Sequence, residues 1–217
     1  MSRMARDRYL EPYRRAVAWY GDTFDVTLWA NEHAQQRRFE VFTELCDLAG
    51  KRVLDAGCSR GDLAAFLIQR DIAYESYVGI DGVDQVITFA RQRELARARF
   101  YCGDILHDAR LLSCGRPQVI CISGTLNTMT DRQVTTVLES AWAATGQTLL
   151  FNFLSDLARR PAPPQSDPAR RMSTARLLQW AAARTGRIIY RQDYLRFGHD
   201  ATIMMTRDEG RLTTRPS

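Results

Sequence analysis

Asp55, Gly57, Gly61, Asp81 and Asp104 are the residues whose types and spacing could do chemistry in this chain of 217 residues. The first three stand in Arg52-Val-Leu-Asp-Ala-Gly-Cys-Ser-Arg-Gly-Asp-Leu63: an apolar run, an acid, a glycine turn, then Leu63, Phe66 and Leu67 at helical spacing. Such a strand–turn–helix unit places a ligand at the carboxyl end of a parallel strand, against a helix N-terminus. Glycine has no Cβ, so the backbone can approach the ligand closely. Asp81 ends the next apolar run, where a carboxylate can accept two hydrogen bonds from a ribose diol. Its place just before Val83 also suits a helix N-cap. Asp104 ends a third run in Cys-Gly-Asp-Ile, where it equally suits a turn. The wording is not the dinucleotide pattern G-x-G-x-x-G: position 59 is Ser, and Asp62-Leu63 follow Gly61.

Strands and helices must alternate to bring these residues to one edge. Tyr9, Tyr13, Val17 and Tyr20 predict an amphipathic helix over 5–20, and Phe39, Phe42 and Cys46 one over 31–48. Strands are expected at 52–56, 76–80, 99–102, 118–123 and 148–154, with helices at 62–70 and from 83 to about 97. Thr130 and Gln133 form a capping-box signature ahead of another helix. A helix from 173 to about 184 precedes two last strands, 188–190 and 201–205, whose short separation suggests an antiparallel pair. Residues 155–172 hold several prolines and arginines and read as a loop long enough for a lid. The alternation predicts an α/β fold, a parallel sheet with helices on both faces. It reads as one domain over 1–217: an N-terminal helical cap (1–48), a Rossmann-like core (51–206) and a loose tail (207–217).

The wording D-x-G-x-x-x-G resembles the first motif of class I S-adenosylmethionine-dependent methyltransferases. That resemblance implies a seven-stranded, mostly parallel sheet of order 3-2-1-4-5-7-6, with S-adenosylmethionine as cofactor. It implies Asp55, Gly57, Cys58 and Gly61 at the methionine end, Asp81 and Gly82 at the ribose, and Asp104 and Ile105 at the adenine. Ser123 and Gly124 would border the reactive methyl. Trp29-x-x-Glu32-x-x-Gln35-x-x-Arg38-Phe39, Ser123-Gly-x-x-Asn127 and Phe151-Asn152 resemble segments of a group of small, mostly uncharacterised bacterial methyltransferases. Glu32, Gln35 and Arg38 share one helix face. Arg38 there is expected to hold the methionine carboxylate or to form a surface salt bridge, and Trp29 to lie beside it. His33 and Asn127 are the candidate catalytic residues.

Several functions are disfavoured. The chain lacks Asn/Asp-Pro-Pro-Tyr/Phe and Pro-Cys, which mark branches methylating nitrogens of bases or cytosine C5. Lys51 is the only lysine, so a Lys-Asp-Lys-Glu ribose methyltransferase set cannot be assembled. The net charge of +5 comes from arginines spread along the chain, which reads as a solvated surface rather than a nucleic-acid face. No apolar run is long enough to span a membrane. The 5 cysteines have no C-x-x-C spacing and read as reduced thiols of a cytoplasmic protein with no metal site. The expectation is methyl transfer to a small-molecule acceptor. The competing readings are a nicotinamide-dependent oxidoreductase, an RNA or protein methyltransferase, and a non-catalytic cofactor-binding module.

Overall fold

The computed structural model describes residues 7–157, 167–195 and 199–208. Seven strands form a sheet of order β3-β2-β1-β4-β5-β7-β6. These are β1 (Arg52–Ala56), β2 (Ser76–Asp81), β3 (Ala98–Cys102), β4 (Val119–Ile122), β5 (Thr148–Leu154), β6 (Ile188–Arg191) and β7 (Asp200–Thr206). The first five run parallel, and β7 lies antiparallel to β5 and β6. The helices are α1 (Glu11–Tyr20), α2 (Glu32–Leu45), α3 (Asp62–Gln69), α4 (Asp84–Gln92), α5 (Asp131–Ala144) and α6 (Thr174–Ala182).

Successive side chains of a strand point to opposite faces, and β4 shows the consequence. Ile120 and Ile122 enter one apolar layer, while Val119 and Cys121 enter the other. The first layer packs against α1, α5 and α6, and the second against α2 and α3. A strand covered on both faces must be apolar throughout, as Val-Ile-Cys-Ile is.

Three boundaries differ from the periodicity. The first helix divides into a 3₁₀ turn at Asp7–Tyr9 and α1, with Pro12 in the first turn of α1. Proline is tolerated there because the first-turn N–H has no intrahelical partner. α2 stops at Leu45, because Cys46 is extended. α4 stops at Gln92 rather than near 97, because Glu94 takes φ +47° and cannot continue a right-handed helix. The base of the 155–172 loop is pinned where Ser155 bridges Met172. Residues 158–166 of that loop, 1–6 of the N-terminus and 209–217 of the tail lie outside the described residues. Among the described residues no helix is long and apolar enough to cross a membrane.

Candidate functional site

The carboxyl ends of β1, β2 and β4 converge on one turn. Gly57 takes φ +85°, and a Cβ there would collide with the Thr125 side chain. The Thr125 hydroxyl donates to the Ala56 carbonyl at 2.9 Å, tying the β1 turn to the segment after β4. On the other side Asp81 joins the same turn to the start of α4. Its Oδ2 accepts from the Ser59 amide at 2.9 Å and its Oδ1 from the Val83 amide at 3.0 Å. Burial raises the Asp81 carboxyl to about 6, against the pull of the Ser59, Val83 and Gly82 amides. A carboxylate offers about four lone-pair sites, so Asp81 keeps acceptor capacity for a ligand. The helix-entry and ligand-binding readings of Asp81 are therefore compatible.

These groups border a cleft of about 900 Å³, open mouth included. Gly57, Ser59, Asp81, Gly82 and Ile105 line it from the strand ends, and Ser123, Gly124, Asn127 and Thr128 from the segment after β4. Tyr9, Leu10, Tyr13, Thr27 and Trp29 close it from the N-terminal cap. Trp29 lies close enough to Gly124 that a Cβ there would strike the indole. Asn152 on β5 braces this wall: its side chain accepts from the Gly124 amide at 2.8 Å and donates to the Ser123 hydroxyl at 2.9 Å.

Of the expected site residues, Trp29, Gly57, Asp81, Gly82, Ile105, Ser123, Gly124 and Asn127 line the cleft, and the others do not. Arg38 is buried under Trp29, with its guanidinium 4.0 Å from the ring. Its Nε donates to Asp200 Oδ1 at 2.9 Å, its Nη2 donates to the same oxygen, and its Nη1 donates to the Ala34 carbonyl at 2.8 Å. The expected contact with a methionine carboxylate is thus replaced by a buried ion pair to β7. Asp104 accepts from the Tyr9 hydroxyl at 2.5 Å and the Leu106 amide at 2.9 Å, and lies 2.6 Å from His107 Nδ1. Its carboxylate is turned to the cap, while Gly103 and Ile105 on either side line the cleft. Gly61 starts α3 and packs on Phe100 instead of the cleft. His33 is exposed on α2 and borders no part of the cleft. Asn127 does border it, but its Oδ1 accepts from the Leu154 amide at 3.2 Å, a bracing role.

Asp55 and Cys58 lie behind the turn. Strand alternation sends Asp55 to the same side as Val53, into the α2–α3 layer with Cys58 and Cys121. Its Oδ2 accepts from the Tyr77 hydroxyl at 2.5 Å, while its buried Oδ1 has no partner. Burial raises the Asp55 carboxyl to about 7; Tyr77 opposes the rise, and Asp81 and Asp62 add to it. Burial also pushes the Cys58 thiol well above its ordinary range. The folded state thus holds the Asp55 proton more tightly than the unfolded chain, whose carboxyl titrates near 4. Its contribution to stability is complete below about pH 4 and is lost as the pH rises toward 7. Asp55→Asn should therefore lose less stability than the parent between pH 5 and pH 8. Thermal midpoints at both pH values test this, and equal losses would show that Asp55 is ionised throughout.

Sequence reading missed Thr125, Thr128 and Thr27 as cleft residues. For Thr125 and Thr128 the only signal was a run of hydroxyl residues following the buried strand β4, which carries no period, and Thr27 had none.

Residues 53–146 match a family model described as a methyltransferase domain. No curated protein matches the sequence. Several solved structures share the fold at low identity. Magnesium protoporphyrin IX methyltransferase from Synechocystis, with bound S-adenosylhomocysteine, is 16% identical over 94% of this chain and 98% of its own, at a TM-score of 0.67. DhpI, in complex with S-adenosylhomocysteine, is 17% identical over 97% of this chain and 100% of its own, at 0.67. The pyocyanin biosynthetic protein PhzM is 17% identical over 90% of this chain and 62% of its own, at 0.66. These likenesses establish the fold, that of S-adenosylmethionine-dependent methyltransferases, and the family model finds a methyltransferase domain over residues 53–146, from β1 to α5.

Proposed function

We propose that the protein transfers a methyl group from S-adenosylmethionine to a small molecule held in the same cleft, with 1–48 as its cap and 51–206 as one catalytic core. The observation that carries this reading is the continuity of the cleft from Asp81, past Gly124 and Trp29, to a roof made by the N-terminal cap. A roofed cleft suits a compact ligand. Magnesium protoporphyrin IX methyltransferase and PhzM, whose names point to small-molecule chemistry, lend support by likeness.

The residues present fit the cofactor. Asp81 has acceptor capacity for a ribose diol, and Leu10, Val83, Val86 and Ile105 make an apolar slot beside it for a base. The turn at Gly57 and the Ser123-Gly124 segment border the cleft where the amino-acid end would lie. S-adenosylmethionine brings a methyl group already activated on a sulfonium. The chain's own task is to hold two reactants in line and keep water out. A general base is needed only if the acceptor must lose a proton.

Incubation with methyl-tritiated S-adenosylmethionine and a cell extract tests the reading. Label should appear in the low-molecular-mass fraction, and label confined to RNA or protein would defeat it. Deleting residues 2–20 should abolish turnover, because it removes Tyr9 and Tyr13 from the roof, and should lower cofactor affinity less, through the loss of Leu10 alone from the slot for the base. Calorimetry beside label transfer, with circular dichroism as a folding check, separates the two. Normal turnover by the folded truncation would show that the cap encloses nothing.

A further inference from the structure

The cleft has a polar spot that the cofactor reading does not use. Thr128, at the end of the 3₁₀ turn after β4, borders the cleft, and its hydroxyl oxygen is buried without a hydrogen bond of regular geometry. Buried hydroxyls are rarely left so, since desolvation without a partner is costly. The Tyr13 hydroxyl comes down from α1 beside it. Burial pushes the Tyr13 hydroxyl up to about 12, and hydrogen bonding with Thr128 opposes that rise. Val26, Leu28, Trp29, Pro168 and Ala169 line the same cleft and give it an apolar and partly aromatic wall. Among the described lining residues Asp81 is the only one with a formal charge. No cationic side chain among the described residues lines the cleft, so a bound anion would find no side-chain partner there and would meet the Asp81 carboxylate, which low dielectric penalises.

We propose that Thr128 and Tyr13 form the acceptor-positioning pair, and that the acceptor is a compact, uncharged, mainly apolar molecule with a hydrogen-bond donor at or next to the methyl-accepting atom. The donor satisfies Thr128 Oγ1, the apolar body packs on Trp29, and Tyr13 fixes the Thr128 hydroxyl rotor. Both are positioning residues. The proposal rests on the reading of the protein as a small-molecule methyltransferase.

The test is ligand-observed NMR on the full chain saturated with S-adenosylhomocysteine. The probes are three sets of one-ring and two-ring fragments matched in size: phenols and benzyl alcohols, benzoates, and benzylammonium ions. The phenols and alcohols should bind and the benzoates should not. Thr128→Val, which keeps the shape and removes the hydroxyl, should weaken the neutral fragments about tenfold, the equivalent of about 1.4 kcal/mol. Tyr13→Phe should act in the same direction. S-adenosylhomocysteine affinity should stay within twofold in both variants. Benzoates that bind as well as phenols, neutral fragments that fail to bind, or neutral fragments indifferent to Thr128→Val would each overturn the proposal. Failure of the parent protein to bind S-adenosylhomocysteine by calorimetry would instead overturn the methyltransferase reading beneath it.

Discussion

Asp81→Ala should weaken S-adenosylmethionine binding by about 30- to 1,000-fold, from the loss of two charge-assisted hydrogen bonds worth together about 2–4 kcal/mol. The site explains why the effect is this large. The carboxylate is already organised by the Ser59 and Val83 amides, at 2.9 and 3.0 Å, so a ligand need not order it. It also sits in a roofed cleft, where charged hydrogen bonds are screened less than at a surface. Asp81→Asn keeps the size and one acceptor oxygen, and should fall between parent and alanine variant. Calorimetry with S-adenosylhomocysteine, at pH 8 so that the parent carboxyl is ionised, reads the loss. Unchanged affinity in Asp81→Ala would remove the ribose assignment and leave Asp81 as a brace between β1 and α4.

The second large effect concerns stability. Arg38→Ala should destabilise the fold by about 3–5 kcal/mol, because it takes the guanidinium away from the buried Asp200 carboxylate and leaves it only His199, at 3.5 Å. For a chain of this length that corresponds to a fall in thermal midpoint of roughly 6–20 °C. Arg38 is 6% exposed and Asp200 4%, so solvent can do little to replace the lost partner. The indole of Trp29 also loses the cation beneath it, so the cleft wall at Gly124 should loosen. Arg38→Met with Asp200→Leu should recover much of the loss, since an apolar pair of similar volume removes the buried charge altogether. Urea unfolding of the parent, the two single variants and the double variant measures this. A single variant as stable as the parent would mean that the ion pair contributes nothing. A folded Arg38→Ala that loses cofactor affinity as its main defect would restore the direct cofactor role expected from the helix face.

The periodicities carry the fold because they report a local rule. Alternation of apolar residues over 3.6 or 2 positions fixes which face of an element is buried, whatever it packs against. The five parallel strands, the capping box at Thr130 and Gln133 and the antiparallel last pair were therefore all legible. The end of α4 was not, because the left-handed φ of Glu94 leaves no mark in the apolar pattern. The place of Asp81 at the cleft was legible because a strand's end places its last side chain regardless of neighbours. The same reasoning failed for Asp55, one strand over, whose position within the pleat sends it behind the turn to Tyr77.

By itself, then, the sequence determined the order of elements and the acid-and-glycine edge at β1 and β2, since each rests on residues close along the chain, whereas the sheet joins strands as far apart as Val53 and Val119. The partners of long polar side chains were decided only by tertiary structure. Arg38 meets Asp200 across 162 positions, and Tyr9 meets Asp104 across 95. No local pattern encodes such pairs. A guanidinium or phenol long enough to reach several neighbours goes to the one that burial leaves without water. That choice exists only once the cap, the sheet and the last hairpin have packed together.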